Sequence, residues 1–256
     1  MNNYNKLLNN LEELNLIKIK ENINQYIDLV NDKNKTFIDA IYELTNLEIE
    51  FAKEKRITGS IKVANFPYLK TFEDYDFSFQ PNLNKDKILD LKNLRFLENK
   101  ENILFVGSPG VGKTHLATAI GMESTKNRKL TYFINCNDLI ANLKKAYNEN
   151  RLDERLKFYS KYKVLIIDEM GFLPIDELGS NILFQLINKR YEKNSTIITT
   201  NKPFAKWGEI FGDPVIASAI LDRLLHHSIV FNINGKSYRT KDIVELNSYL
   251  NKKDNN

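Results

Sequence analysis

Cysteine is nearly absent: Cys136 is the single thiol in 256 residues. One thiol excludes an intramolecular disulfide and a multi-cysteine zinc site. Because it follows the apolar run Tyr132-Phe133-Ile134, Cys136 is expected to be a small buried hydrophobe. Long apolar runs are missing as well. No stretch reaches the about 18 residues that a transmembrane helix needs, and Met1-Asn2-Asn3-Tyr4-Asn5-Lys6 lacks the basic-then-apolar layout of a secretory signal. A soluble, cytoplasmic protein without a membrane partner is the expectation. Strong charge of one sign is also lacking. Lys and Arg total 37 against 33 acidic residues, a net +4, which permits a local basic face for nucleic acid without demonstrating one.

What is present supports a folded chain. Hydrophobic residues make up 42% of it, enough for a sizeable core in one main domain plus a smaller appendage. The first part reads as helices. Leu7, Leu8, Leu11 and Leu14 recur at helical spacing, as do Ile19, Ile23, Tyr26, Ile27 and Val30. Phe37, Ile41, Leu44, Leu47 and Phe51 fall on one side of a third helix, which Thr36-Phe37-Ile38-Asp39 opens as a capping box. These stripes pack against one another or against a partner. Between Gly59 and Asn84, Pro67, Pro81 and a run of aromatics mark a connector, so a domain boundary is expected near residue 70. Residues 86–99 return to helical character.

From Asn102 the chain alternates between strands and helices. Predicted strands cover 103–106, 130–135, 164–167, 196–200 and 228–233, with helices at about 112–123, 176–191 and 217–227. Asn137-Asp138 is the expected cap of the helix after the second strand. Such alternation predicts an α/β fold, a five-stranded parallel sheet covered by helices on both faces.

Between the first strand and its helix lies Gly107-Ser108-Pro109-Gly110-Val111-Gly112-Lys113-Thr114, which matches G-x-x-x-x-G-K-[ST] at every fixed position. Glycines open backbone conformations in which successive N–H groups converge on phosphate oxygens. The following helix aims its N-terminal dipole at the same anion. Lys113 is expected on the β- and γ-phosphates and Thr114 on Mg²⁺. Asp168 and Glu169 come directly after the apolar run Val164 to Ile167. There Asp168 can join the Mg²⁺ shell, and Glu169 can take a proton from the attacking water. Asp-Glu is also an ordinary turn when read alone. Asn201, at the tip of the fourth strand, could orient that water, although Asn-Lys-Pro is equally a turn signal.

From about Phe66 to Lys241 the chain resembles the IstB-like transposition helper ATPases of the AAA+ class, relatives of DnaC-type helicase loaders. The likeness is carried by Phe77-Ser78-Phe79-Gln80-Pro81, by the loop from Gly107 through His115-Leu116-Ala117, and by Ile167 through Pro174. Trp207-Gly208-Glu209-Ile210-Phe211-Gly212-Asp213-Pro214, Ala219 through His227 and Gly235-Lys236-Ser237-Tyr238-Arg239 extend it. Met170 and Phe172 depart from it, standing where Leu and Tyr are frequent. The resemblance implies ATP held by Gly107, Ser108, Pro109, Gly110, Val111, Gly112, Lys113, Thr114 and His115, with Mg²⁺ on Thr114 and Asp168. It implies catalytic roles for Lys113 and Glu169, and for Asn201 as a sensor. Arg223 would be an arginine finger reaching a neighbouring subunit's nucleotide, unless it is a surface ion-pair partner of Asp222 or of a neighbour. Arg239 would be a second sensor on the chain's own γ-phosphate.

The implied organisation is a helical partner- or DNA-binding domain over 1–70 and an AAA+ ATPase domain over 71–256. The implied partners are DNA, an IstA-like transposase of the same element and further copies of the chain. A DnaC-like helicase loader is the second reading, and a small-molecule kinase a third that the Asp-Glu pair disfavours. His226-His227 is expected to be structural, since adjacent helical positions point apart and no carboxylate-rich motif accompanies them. Trp207 and the Phe72 to Phe79 aromatics are expected in packing, with one of the latter open as a cover for the adenine.

Overall fold

The computed structural model describes residues 2–240. Met1 and residues 241–256, the end of the expected ATPase domain, lie outside the described residues. Residues up to Gly59 form one compact unit and residues from Ser60 onward a second. The division falls inside a helix, ahead of the Pro- and aromatic-rich stretch where the sequence suggested a boundary.

The first unit is built from α1 (Asn3–Glu13), α2 (Ile17–Asn31) and the beginning of α3 (Phe37–Val63). Leu11, Ile23 and Leu44 form its small core, with Leu8, Leu16, Ile19 and Tyr26 packed around them. Of the stripe expected on α3 only Leu44 is buried; Phe37, Ile41 and Leu47 are exposed, because three helices have too little mutual surface to cover every apolar side chain. The start of α2 has no local side-chain cap. Glu48 of α3 replaces it, accepting the backbone N–H groups of Lys18 at 2.7 Å and Ile19 at 3.1 Å. A carboxylate there satisfies orphan donors and meets the positive end of the helix dipole. Thr36 and Asp39 form the expected box: Asp39 N donates to Thr36 Oγ1 at 3.2 Å, and that hydroxyl donates to the Asp39 carboxylate at 2.6 Å.

In the second unit the chain runs through α4 (Lys85–Asp90), α5 (Arg95–Glu98), β1 (Asn102–Gly107), α6 (Lys113–Lys126), β2 (Thr131–Asn135), α7 (Cys136–Asn148) and α8 (Leu152–Ser160). It continues with β3 (Val164–Met170), α9 (Glu177–Arg190), β4 (Ser195–Thr200), α10 (Trp207–Phe211), α11 (Pro214–Leu225) and β5 (Ser228–Ile233). All five strands are parallel in the order β2-β3-β4-β1-β5. Ile103 on β1 registers with Ile197 on β4 and with Ile229 on β5.

One face of the sheet carries a core that includes Ile88, Leu116, Ile120 and Ile166. The other carries Leu139, Leu183, Leu186, Trp207 and Ile220. Trp207 is fully buried against Phe204 and Phe211, and Cys136 is buried with its thiol pushed up to about 12 by desolvation. Both fill the packing roles expected of them. The helical character expected over 86–99 is present as α4 and α5, with a break between them where Leu94 takes a left-handed conformation with φ of 55°. The cap of α7 is Asn135, whose Oδ1 accepts Asn137 N–H at 3.0 Å, and not the Asn137-Asp138 pair, which lies within the helix's first turn.

Arg190 ends α9 fully buried. Its guanidinium donates to the carbonyls of Tyr159, Tyr162 and Ser195 and to Thr196 Oγ1, tying α8, α9 and the starts of β3 and β4 together. All of these acceptors are neutral, so its removal strands several buried carbonyls at once. Arg190→Met is therefore expected to cost about 3 kcal/mol or more, lowering the melting temperature by roughly 6–12 °C. Calorimetric melting checks this, and a loss below about 1 kcal/mol would show that water re-solvates the site.

Candidate active site

The strand order sets the carboxyl ends of β3, β4 and β1 side by side, the place where open α/β sheets bind ligands. The loop from β1 to α6 is locally dictated by its glycines. Gly107 has φ of 148°, and a Cβ there would lie 2.0 Å from the Ile233 carbonyl oxygen. Gly110 has φ of 77°, with its open side against Ser237, and its carbonyl accepts Tyr238 N–H at 2.9 Å. The loop thus lies between the end of β5 and the segment following it, with no room for side chains at either position. Lys113 Nζ donates to the carbonyls of Gly107 at 2.9 Å and Ser108 at 2.7 Å. Burial pushes this ammonium below the ordinary lysine range; Asp168 and Glu169 oppose that, and the nearby Arg239 charge adds to it.

β3 is longer than its apolar run predicts. It extends to Met170, with Asp168 and Glu169 just before its last residue and a register irregularity against β4 between Ile167 and Met170. Glu169 sits at φ of 57°, an uncommon conformation for a residue with a Cβ and one that clusters at functional sites. This bulge leaves Asp168 buried and Glu169 exposed. Thr199 of β4 stabilises it: Thr199 Oγ1 accepts Glu169 N–H at 2.9 Å and donates to Asp168 Oδ1 at 2.6 Å. Thr114 Oγ1 donates to the same carboxylate, 2.9 Å from Oδ1 and 3.2 Å from Oδ2. Burial raises the Asp168 carboxyl above its ordinary value, against the two hydroxyls, and the neighbouring Glu169 charge works in the same upward direction. A desolvated carboxylate beside a hydroxyl is a hard-oxygen donor pair that fits a magnesium ion.

Glu169 Oε2 accepts Asn135 Nδ2–H at 2.8 Å. Asn135 therefore holds the carboxylate and caps α7 with the same amide, joining the acid to a helix end. The sequence reading missed this role, although a polar residue closing a strand before a helix was the signal available. Thr199 was missed too, since nothing local distinguishes it from other strand threonines.

These groups surround a cavity of about 280 Å³ lined by Lys113, Thr114, Glu169, Asn201 and Arg239 among others. Asn201, exposed at the end of β4, reaches it as expected. His115 lines it as well, but its Nε2 faces the Thr71 carbonyl at 2.7 Å, and its burial lowers its pKa. The connector supplies the aromatic wall. Tyr75 and Phe79 line the cavity and Phe72 is buried in the core. Tyr75 also donates its hydroxyl to the Val111 carbonyl at 2.9 Å, and desolvation pushes it to about 12. Phe79 meets Tyr238 edge-on, with centroids 5.2 Å apart.

Arg223 stands apart from this cavity, on α11. Its guanidinium lies over the Phe184 ring at 4.7 Å, its Nε donates to Asn188 Oδ1 at 2.9 Å and its Nη1 to the Ala219 carbonyl at 3.0 Å.

A carboxyl with a raised folded value holds its proton more tightly when folded than when unfolded. It therefore weakens the fold progressively as pH rises from the ordinary Asp value of 3.8 through the folded one. In buffer free of nucleotide and magnesium, Asp168→Asn is expected to melt a few degrees above wild type at neutral pH. The gain should shrink toward zero below the ordinary value, as read by calorimetric melting across pH. A lower melting temperature for the variant at neutral pH would show that the ionised carboxylate stabilises the fold.

Residues 9–245 match the family described as IstB-like ATP binding protein. The chain is 51% identical over 241 residues to a protein of Bacillus thuringiensis subsp. berliner named for ATP binding and for insertion sequence IS232, covering 94% of this chain and 96% of that one. It is 43% identical over 229 residues to a Geobacillus stearothermophilus protein named likewise for insertion sequence IS5376, covering 90% and 91%. Among solved structures, DnaA of Aquifex aeolicus bound to AMPPCP matches with a TM-score of 0.56 at 22% identity, over 71% of this chain and 55% of that one. DnaI matches with a TM-score of 0.53 at 21% identity, over 66% and 89%. The fold is the α/β fold of the AAA+ P-loop NTPases, preceded by a helical N-terminal part.

Proposed function

We propose a function for a chain that belongs to the IstB-like ATP binding protein family: it is an ATPase that assembles on DNA and assists the transposase of an insertion sequence. The relatives' insertion-sequence names support the transposition part, and the site supports the chemistry. The observation that carries the reading is the gathering of Lys113, Thr114, Glu169, Asn201 and Arg239 around one cavity, while Arg223 lies outside it on a separate helix.

In this reading the loop from Gly107 to Thr114 takes the triphosphate, its backbone N–H groups and Lys113 replacing the water around the phosphate charge. To do so Lys113 leaves the two loop carbonyls that it bonds now. Thr114 and Asp168 would hold Mg²⁺, which when bound neutralises charge on the phosphates. Glu169, oriented by Asn135 through one oxygen, offers the other to a water. As that water's oxygen bonds to the γ-phosphorus, its proton passes to Glu169 and the bond to the β–γ bridging oxygen breaks, giving ADP and phosphate. Asn201 positions the water and Arg239 meets the γ-phosphate. Arg223 belongs to the neighbouring copy's site, which makes ATP a contact between subunits. Binding drives assembly and hydrolysis reverses it. The aromatic wall of Tyr75, Phe79 and Tyr238 provides a stacking surface for the base.

A helicase loader is the second reading, but the insertion-sequence relatives match at 51% and 43% identity over nearly their whole length. No observation favours the loader over transposition.

The test is DNA-stimulated ATP hydrolysis by Glu169→Gln and Arg223→Ala, separately and mixed. Each alone is expected to lose about 100-fold or more in kcat. An equal mixture should regain up to roughly a quarter of wild-type activity, since a randomly assembled pair then places an intact Glu169 opposite an intact Arg223 at about that frequency. A mixture as inactive as its components would mean that Arg223 acts within its own chain or not at all.

A further inference from the structure

The chain has three histidines, and two of them meet a carboxylate far from the nucleotide cavity. His226 and His227 follow α11, and Glu192 lies in the turn between α9 and β4. One ligand atom from each lies within 4.8 Å of the others. Glu192 Oε1 is 3.7 Å from both His226 Nδ1 and His227 Nε2. Adjacent residues within a helix would point apart. Here α11 has just ended, and the two rings sit edge to face with centroids 4.2 Å apart. Glu192 itself takes φ of 55°, a turn conformation that carries its carboxylate to the imidazoles.

We propose that Glu192, His226 and His227 form a site for a zinc-class divalent cation, a clip between the α9–β4 turn and the end of α11. Two imidazole nitrogens and one carboxylate oxygen are the donor set that borderline metals such as Zn²⁺ and Co²⁺ select. Donors on a tetrahedron with metal bonds of about 2.1 Å stand roughly 3.4 Å apart. Two of the separations are already near that figure, and small rotations of exposed side chains supply the rest.

The scaffold is held on both sides. The His227 carbonyl accepts Asn102 N–H of β1 at 2.7 Å, and the Tyr191 hydroxyl meets His226 Nδ1 at 2.8 Å. Metal entry exchanges that one hydrogen bond for a coordinate bond and leaves the hydroxyl beside the ion. The fourth position stays open to water. Arg223 lies one helical turn before this pair, so an ion here fixes the end of the helix that carries it. The site itself does not depend on the nucleotide reading.

The experiment is Co²⁺ titration of the full-length, chelator-treated, nucleotide-free protein, read by the visible absorption of tetrahedral cobalt and then by Zn²⁺ competition. One equivalent is expected to produce the band and Zn²⁺ to bleach it. His226→Ala and His227→Ala should each weaken binding about 10-fold or more, while Asp168→Asn leaves it unchanged. Zn²⁺ should also raise the melting temperature of wild type but not of His226→Ala, by mass action on the folded state. Both altered histidines at the clip are exposed, so folding of the variants can be verified by circular dichroism. Absence of a band, a band of equal strength in both histidine variants, or one lost in Asp168→Asn would each overturn the proposal.

Discussion

A carboxylate removed from water at the end of the central strand is the constraint around which the second unit is organised. Asp168 is buried, and desolvation, with the Glu169 charge beside it, raises its carboxyl against the hydroxyls of Thr199 and Thr114. Left alone, such a group costs stability. Its neighbours show what the arrangement is for. One hydroxyl comes from the first turn of α6 and the other from β4, so the same carboxylate fixes the phosphate-binding helix against the strand that ends in Asn201. An anion-binding loop, a metal-ready oxygen pair and a polar strand tip are thereby brought to one place by a single buried side chain. Natural proteins retain unfavourable electrostatics of this kind where a ligand offsets them.

The parts of this site legible in the sequence are those whose geometry is local. A phosphate-binding loop needs left-handed backbone at defined positions, and only glycine meets that need cheaply, so the spacing from Gly107 to Thr114 carries its own structural meaning. β1 and the start of β3 were legible for a similar reason, because strands buried on both faces read as near-continuous apolar runs. Asn201 and Glu169 followed from being at strand ends. Arg223 and Arg239 did not; they came from family resemblance, since a lone arginine on a helix or in a loop has no local signature.

Most of the misses depended on a partner distant in sequence. β3 continued past its apolar run because Thr199 supports a bulge there, and the local pattern cannot see Thr199. Glu48 caps α2 by accepting the backbone N–H of Lys18, thirty residues earlier, and the expected stripe on α3 was only partly buried because its exposure depends on how much helix surface is available to cover it. The cap of α7 was placed two residues late because Asn135 reads equally well as the last residue of a strand. The two histidines were judged as helical neighbours, whereas the helix stops at Leu225 and frees them to converge on Glu192.

Two contacts suggest how the site's parts influence one another. Asn135 divides its amide between Glu169 and the first turn of α7, so a displacement of that helix end alters the orientation of the acid without touching the phosphate loop. On the opposite side, the segment after β5 bonds to Gly110 through Tyr238 N–H and brings Arg239 to the cavity wall. Nucleotide binding and the setting of the base are therefore connected to different elements, α6 and the post-β5 segment for the phosphates, β2 and α7 for Glu169. In the proposed function, a chain built this way would hold ATP while Glu169 stays tied to other elements, the separation that an assembly switch needs. Arg223 stands outside its own cavity; in the proposed function it would carry the same logic between molecules, since no isolated chain would then possess a complete site.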